Sequence, residues 1–303
     1  MAIQPNAAAM NWAIERSGLD RDSLVKKWPK LEQWIDGSRS PTIKQIRDFA
    51  DTVHINVSSL FSDTLPDLGL QIADFRTVDD RGAAYPTPEL YDTINLMMRR
   101  QQWMHDYFSH ERYSAVDYAG SFADKPINHE TAEHLAGCLH ELLGLADNWA
   151  EGCKTVGDAF KALKESIERV GISVVVNGVV NDNTHRTLKV DEFRGFVLSD
   201  TVAPLIFING RDAKTAQMFT LVHELAHLAY SQTGVSNPSD ELDGKGSDME
   251  KFCNRVAADF LVPTALLLQK WEHASIGAYE KTERIARQLK VNFVVVARKA
   301  RDE

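Results

Sequence analysis

The sequence predicts an α+β protein in which an all-α N-terminal domain precedes a mostly helical domain with a small sheet of about three to four strands. Three observations carry this. Up to residue 170 the apolar residues recur at helical spacing, broken by Gly and Pro. Between residues 172 and 208 the pattern changes to short runs of β-branched and aromatic residues bounded by turn residues. From 215 to 230 there follows a helical stretch in which Glu224 is the only ionised side chain, holding His223, Glu224 and His227 in the order HELAH.

At 303 residues, 44% of them hydrophobic, the chain can bury a sizeable core and has room for two domains. Its 34 basic and 43 acidic residues leave a net charge of −9, which argues against a general polyanion-binding surface. Cys138, Cys153 and Cys253 are odd in number and form no CxxC pair, so they read as reduced, packed thiols of a cytoplasmic protein. No apolar run approaches the roughly 20 residues of a bilayer span, and the start lacks the blocks of a signal peptide. A membrane partner is not expected.

Residues 1–65 carry helical patterns at about 12–17, 22–27, 29–36, 42–53 and 57–61, punctuated by Gly18, Gly37 and Pro41, with Thr42 placed to cap the fourth. Basic and acidic side chains roughly balance there, whereas a duplex-binding face normally shows a basic excess. Residues 66–88 read as a connector, since Pro66, Gly69, Gly82, Pro86 and Pro88 prevent a long element and Asp79-Asp80-Arg81 is a solvated charge run. Within it Asp74-Phe75-Arg76-Thr77 is either a clamp between domains or a surface turn.

Residues 89–303 form the remainder. Leu90, Ile94, Met97, Met98, Met104, Tyr107 and Phe108 predict a long amphipathic helix over 89–110, its stripe reading as core packing. A second helix is expected over 128–145; His129, His134 and His140 there read as structural, because His134 and His140 point to different faces. A third, 158–170, stops at Gly171. Residues 172–176 and 179–180 flank Asn177-Gly178, a two-residue hairpin signal, and 193–198 and 205–208 supply further strands. After the HELAH helix, helices are expected from Glu250, over 264–271, over 282–289 and over 291–298.

Histidines four apart on a helix share one face, so His223 and His227 can aim two imidazoles at one zinc ion with Glu224 beside them. A catalytic zinc usually has three protein ligands, so one more is needed. The loop 231–247 offers Asp240, Glu241 and Asp243, but it is rich in Gly, Ser, Asn and Pro. Glu250 instead opens an apolar helix with Phe252, Val256, Ala257, Phe260 and Leu261 facing a core, which can fix its position. Asn254, one turn on, suits an acceptor for the other N–H of a ligating histidine. The competing reading makes Glu250 only an acid favouring a helix start. Cys253 could reach the site as a redox switch, but its setting favours a packed thiol.

HELAH, then Glu250-Lys-Phe-Cys-Asn254, then Ala257-Ala258-Asp-Phe-Leu-Val-Pro263 resemble the ImmA/IrrE metallopeptidases, built on the gluzincin plan of HExxH plus Glu. The segment before the helix and the Asp-Phe-Arg-Thr connector extend the likeness, and residues 1–65, with Trp34-Ile35-Asp36-Gly37, resemble an Xre-type helix-turn-helix domain. That domain is about four residues short where the recognition helix should begin, which favours docking or homodimerisation over base reading. The resemblance implies a zincin-like fold, Zn²⁺ held by His223, His227 and Glu250, and Glu224 as general base for the attacking water. It implies an endopeptidase cutting a protein, a cognate helix-turn-helix repressor encoded nearby, in mobile elements or stress responses. By the same analogy the strand of Leu205, Ile206, Phe207 and Ile208 would pair with substrate backbone. Tyr230, His273 and Tyr279 are candidates to stabilise an oxyanion. The alternatives are a DNA-binding transcriptional regulator, or a toxin-antitoxin or defence component, with a structural or sensory metal site.

Overall fold

A computed structural model describes residues 4–64, 72–74, 86–236, 247–272 and 276–302. The chain divides into two compact units, Met1–Gln71 with Asp80–Thr93, and Ile72–Asp79 with Ile94–Glu303. These differ from the expected 1–65, 66–88 and 89–303: residues 72–79 join the second unit, and the first turn of the long helix joins the first. Most of the expected connector, including Pro66, Gly69, Gly82, Asp79-Asp80-Arg81 and Phe75-Arg76-Thr77, lies outside the described residues.

The first unit holds α1 (Ala7–Ser17), α2 (Arg21–Lys27), α3 (Leu31–Ile35), α4 (Ile43–Thr52) and a short 3₁₀ helix, Val57–Phe61. Asn6 and Asp20 cap α1 and α2, and Thr42 forms a reciprocal capping box with Gln45 on α4. Met10, Trp34, Phe49 and Leu60 make a dry core. Helix α3 has only five residues, and Leu31 and Trp34 are buried. Its exposed Glu32 accepts from Arg21 Nε and Nη2, each at 2.8 Å.

The second unit contains most of α5 (Pro88–His110), then α6 (His129–Leu143), α7 (Val156–Arg169), α8 (Lys214–Ala229), α9 (Asp248–Leu261), α10 (Thr264–Glu272), α11 (Ala278–Leu289) and α12 (Phe293–Asp302). Ile94, Met97 and Met104 of α5 are buried, as its stripe predicts, but Tyr107 is 48% exposed and stacks on the exposed Trp103. Among the described residues no helix is long and apolar enough to cross a membrane.

The strands are β1 (Ala73–Asp74), β2 (Ser173–Asn177), β3 (Val179–Val180), β4 (Asn183–Thr187), β5 (Gly195–Leu198), β6 (Leu205–Asn209) and β7 (Gly234–Ser236). Five form a mixed sheet in the order β1-β7-β5-β6-β2, while β3 and β4 form a separate hairpin. Two expectations fail here. The Asn177-Gly178 hairpin does not form: β2 pairs parallel with β6, and the tight turn falls at Asn181 and Asp182, whose φ values of 46° and 60° suit the hairpin twist. Gly178 is needed for a different reason, since a Cβ there would stand 2.8 Å from Arg211 Cγ.

The second failure concerns Leu205, Ile206, Phe207 and Ile208. Strand β6 is bonded antiparallel to β5 on one edge and parallel to β2 on the other. Its backbone groups are spent within the sheet, so it has no free edge for a substrate strand.

Both β5 and β6 are buried throughout, as expected for strands covered on both faces. Val197, Ile206 and Ile208 pack in one core with Leu221, Val222 and Leu225 of α8. By strand alternation Phe196 and Phe207 turn to the other face, where their rings stack 5.0 Å apart. Helix α5 is tied to the turn between β5 and β6: Gln101 donates to the Leu198 and Ala203 carbonyls, and His105 Nδ1 meets Asp200 at 2.9 Å.

The His105–Asp200 pair sets a pH dependence. The Asp200 hydrogen bond raises the His105 pKa above 6.5, so this stabilisation is fully present below 6.5 and is lost as pH rises through the raised value. Burial pushes the Asp200 pKa up, but the backbone N–H groups and His105 outweigh it and hold the group below 3.8; its contribution is lost only as pH falls through that depressed value. In thermal melts between about pH 6 and pH 8, His105→Gln should flatten the decline in Tm seen for the wild type, and added salt should shrink the difference. Parallel pH profiles would contradict this role.

Candidate metal centre

The HELAH helix is held at both ends and on both sides. Ala213 supplies no side-chain cap to α8, but Gln217 folds back and donates to the Gly210 and Asp212 carbonyls, fixing the turn that enters the helix. At the other end Gly120 N–H donates to Leu228 O and Phe122 N–H to Ala229 O, satisfying carbonyls that a helix terminus leaves open. Tyr118 donates its hydroxyl to Leu225 O from within the core. With twelve of its residues buried, α8 is a core helix whose register fixes His223 and His227.

Helix α9 packs against α8 and begins with Ser247, whose hydroxyl accepts from Glu250 N–H. Its apolar face, Phe252, Val256, Ala257, Phe260 and Leu261, enters the same core as α8 and turns Glu250 inward. The donor atoms then meet in a small triangle. His223 Nε2 is 3.1 Å from His227 Nε2 and 3.1 Å from Glu250 Oε2, and His227 Nε2 is 3.0 Å from Glu250 Oε1. All three residues are buried, and among the described residues they are the cluster able to hold a metal ion.

The outer nitrogens decide what this triangle can be. His223 Nδ1 lies 3.0 Å from the amide oxygen of Asn254, and His227 Nδ1 lies 3.0 Å from that of Gln232. An amide oxygen only accepts, so each imidazole carries a proton on Nδ1 and, in the neutral form a metal ligand requires, presents a lone pair at Nε2; without a cation, and against the effect of burial, Cys253 and Glu250 raise the His227 pKa. In the neutral form two imidazole lone pairs and a carboxylate converge in a buried pocket. This arrangement is repulsive unless a cation lies between them. Zinc bonds of about 2.0–2.1 Å in a tetrahedron separate ligand atoms by about 3.3 Å, close to the observed edges. The residues fit a zinc ion.

Burial lowers the His223 pKa, against the pull of Glu250, and so favours the neutral ligand form. Burial alone would raise that of Glu250, but His223 and His227 hold it far below the usual carboxylate range. Glu224 differs. It is fully buried, neither carboxylate oxygen makes a hydrogen bond of ordinary geometry, and burial raises its pKa to about 8, tempered by His227 and the nearby Ser236 hydroxyl.

Glu224 lies against Gly195 of β5, where a side chain cannot be accommodated. A Cβ there would stand 2.6 Å from Thr220 Cγ2, 3.0 Å from Phe207 O and 3.2 Å from Glu224 Oε1.

The structure thus brings together His223, Glu224, His227, Glu250 and Asn254. It also brings in Gln232, Ser236 and Gly195, which the sequence reading missed. Gln232 had a signal, lying just past the end of α8 where a chain reversal returns it to the His227 ring. Ser236 and Gly195 had none, because their place depends on strand pairing at Gly195↔Ser236. Cys253 is fully buried, packed against Met249 and in hydrogen-bond contact with His227, so the thiol reaches the edge of the site as well as filling the core. Of the oxyanion candidates, Tyr230 caps α8 and its hydroxyl points to Pro126 O at 3.4 Å, and Tyr279 is 70% exposed against Phe293. His273, like Asp240, Glu241 and Asp243, lies outside the described residues. His140 is structural, stacked on Phe260 with its ring nitrogens on the Leu145 and Phe260 carbonyls.

Residues 167–301 match the family described as Peptidase_M78: IrrE N-terminal-like domain. The match supports the ImmA/IrrE resemblance and a peptidase for this region. It spans β2 to α12 and contains all five site residues, while the first unit, α5 and α6 lie outside it. No curated protein matches the chain significantly.

Two substitutions test the geometry. Gly195→Ala should cost about 1–3 kcal/mol by overpacking, read as a lower Tm, and should displace Glu224; an unchanged Tm would contradict the close approach. Asn254→Ala should weaken zinc binding by roughly 10–100-fold while leaving the fold intact, as read by competition with a chromogenic chelator.

Proposed function

We propose that the second unit is a zinc-dependent endopeptidase, with His223, His227 and Glu250 holding the metal and Glu224 moving the proton. The observation that carries this is the pair of adjacent environments: two imidazoles and a carboxylate whose ligand atoms converge, and beside them the buried carboxylate of Glu224 with the Ser236 hydroxyl near it. Zinc, when bound, supplies a Lewis acid that acidifies water and polarises a peptide carbonyl. The chain's own part is proton management. Burial pushes the Glu224 pKa up and a cation held beside it would pull it down again, which suits a group that takes a proton from water and returns it to the departing amine. Asn254 and Gln232 keep both imidazoles in one tautomer and orientation throughout.

The substrate class comes from the resemblance: a protein, with a cognate helix-turn-helix repressor encoded nearby as the leading candidate. The three free cysteines accord with a cytoplasmic setting. For the first unit we favour docking or homodimerisation. Its α3 exposes Glu32 bound to Arg21, an unsuitable surface against a phosphate backbone.

Glu224→Gln should retain one zinc per chain yet lose about 10²–10⁴-fold in cleavage of a repressor substrate. Equal cleavage by the zinc-loaded variant would remove Glu224 from the mechanism. A salt-sensitive, sequence-preferring shift of duplex DNA by the full chain would favour the regulator reading instead.

A further inference from the structure

Strand β2 closes the mixed sheet at the end away from β7 and the metal centre, and it is paired on one side only, to β6. The parallel register fixes which of its backbone groups are used. Ser173 N–H donates to Pro204 O and Asn177 O accepts from Gly210 N–H, so Ser173, Val175 and Asn177 turn their amides and carbonyls toward β6. Val174 and Val176 therefore turn theirs outward, where among the described residues neither N–H nor C=O has a hydrogen-bond partner. Natural sheet edges are usually blunted by charge, proline or a bulge. Ser173-Val174-Val175-Val176-Asn177 carries no charge and no proline, and its register with β6 is unbroken.

Beside this edge lies a groove of about 370 Å³, bordered by Ser173, Val174 and Val175 and walled by Phe108 and Tyr113. Ser173 is on the face of β2 that meets α5, its hydroxyl 3.8 Å from Met104 Sδ, whereas Val174 turns into the core on the other face. By alternation Val175 shares the α5 face. Phe108, near the end of α5, and Tyr113 just past it stand with ring centroids 5.0 Å apart, and Tyr113 is 61% exposed. The charged side chains in the lining are Arg100 and Glu168, which balance, so the groove does not select an ion. It offers instead a row of backbone donors and acceptors that repeats every two residues, roughly 6.6 Å, beside apolar rings. Another extended backbone has the same repeat. A compact apolar molecule would leave the row unpaired, and a second copy of the β2 edge would bring its own Phe108 and Tyr113 walls against these. A free segment of chain enters a walled groove without that clash.

We propose that the outer edge of β2 binds an extended segment of a partner protein as a sixth strand of the sheet, with alternate apolar side chains of that segment laid against Phe108 and Tyr113. The main-chain bonds at Val174 and Val176 supply affinity for an extended chain, and the aromatic wall selects apolar side chains on one of its faces. The site depends on neither the metal nor Glu224.

The test uses the full chain carrying Glu224→Gln, so that the probe is not consumed. A fluorescein-labelled peptide alternating Thr with Val and Phe, blocked at both ends, is titrated and followed by anisotropy. Two N-methylated forms accompany it, one methylated on the Thr residues and the other on the intervening Val and Phe. A strand added through one edge should lose roughly tenfold or more in affinity with one of these forms and little with the other. Val176→Pro removes one outward N–H without touching a bond to β6, a change that edge strands tolerate, and should weaken the unmethylated peptide by a similar factor, whereas Val176→Thr should not. Tyr113→Ala, at an exposed position, should weaken it several-fold, with far-UV circular dichroism and Tm as folding controls. No binding of the unmethylated peptide, or equal binding of the two methylated forms, overturns the proposal without recourse to any β2 variant. A dimer in sedimentation equilibrium that Val176→Pro abolishes also overturns it, in favour of self-pairing through this edge.

Discussion

Two hydrogen bonds constrain this site more than any others: His223 Nδ1 to Asn254 and His227 Nδ1 to Gln232. Each commits an imidazole proton to the outer nitrogen and so, in the neutral form, leaves a lone pair facing inward. With Glu250 completing the triangle, the chain has placed three electron-rich groups within about a ligand–ligand distance of one another in the buried core. Burying them together is unfavourable unless a cation lies between them, so a bound metal would couple to the folding of this core. The second unit's architecture supplies the positions these bonds require.

That architecture is a helix sandwiched between a sheet and other helices. Helix α8 can lie on β5 because position 195 has no side chain, and close approach puts Glu224 into a buried niche between β5 and β7. The niche changes the acid's chemistry: a carboxylate that would be ionised near pH 4 in water is moved toward neutrality by desolvation. Helix α9, sharing the core of α8, brings Glu250 and Asn254 from one side, while the chain reversal after α8 brings Gln232 from the other. Ligands and their orienting partners thus come from elements fixed by the same apolar contacts.

Much of this was legible in the sequence because it is helical. Period is a local property, so the helices expected over 128–145, over 158–170 and from Glu250 all form, the last two starting two residues earlier behind caps Thr155 and Ser247 that the sequence reading did not pick out. The four-residue spacing carried His223 with His227 and Glu250 with Asn254 directly into space. Strands were less legible because their meaning depends on partners far away. The two residues of β1 and the three of β7 carry no periodic signal and acquire definition only through β5 and each other. Asn177-Gly178 looked like a hairpin turn, yet its glycine admits Arg211 while Asn181 and Asp182 make the turn. The run from Leu205 to Ile208 looked like an available edge, but its unbroken apolar character was the mark of a strand covered on both faces and paired on both sides.

The central claim, that two Nδ1-protonated imidazoles and Glu250 converge to hold zinc, is tested most directly by X-ray absorption at the zinc edge on the protein purified without added metal. The account predicts one zinc per chain, with two imidazoles and light oxygen scatterers at about 2.0–2.2 Å and no sulfur. A sulfur scatterer near 2.3 Å would place Cys253 on the metal, and a signal with fewer than two imidazoles would remove a histidine from it; either result would contradict the account.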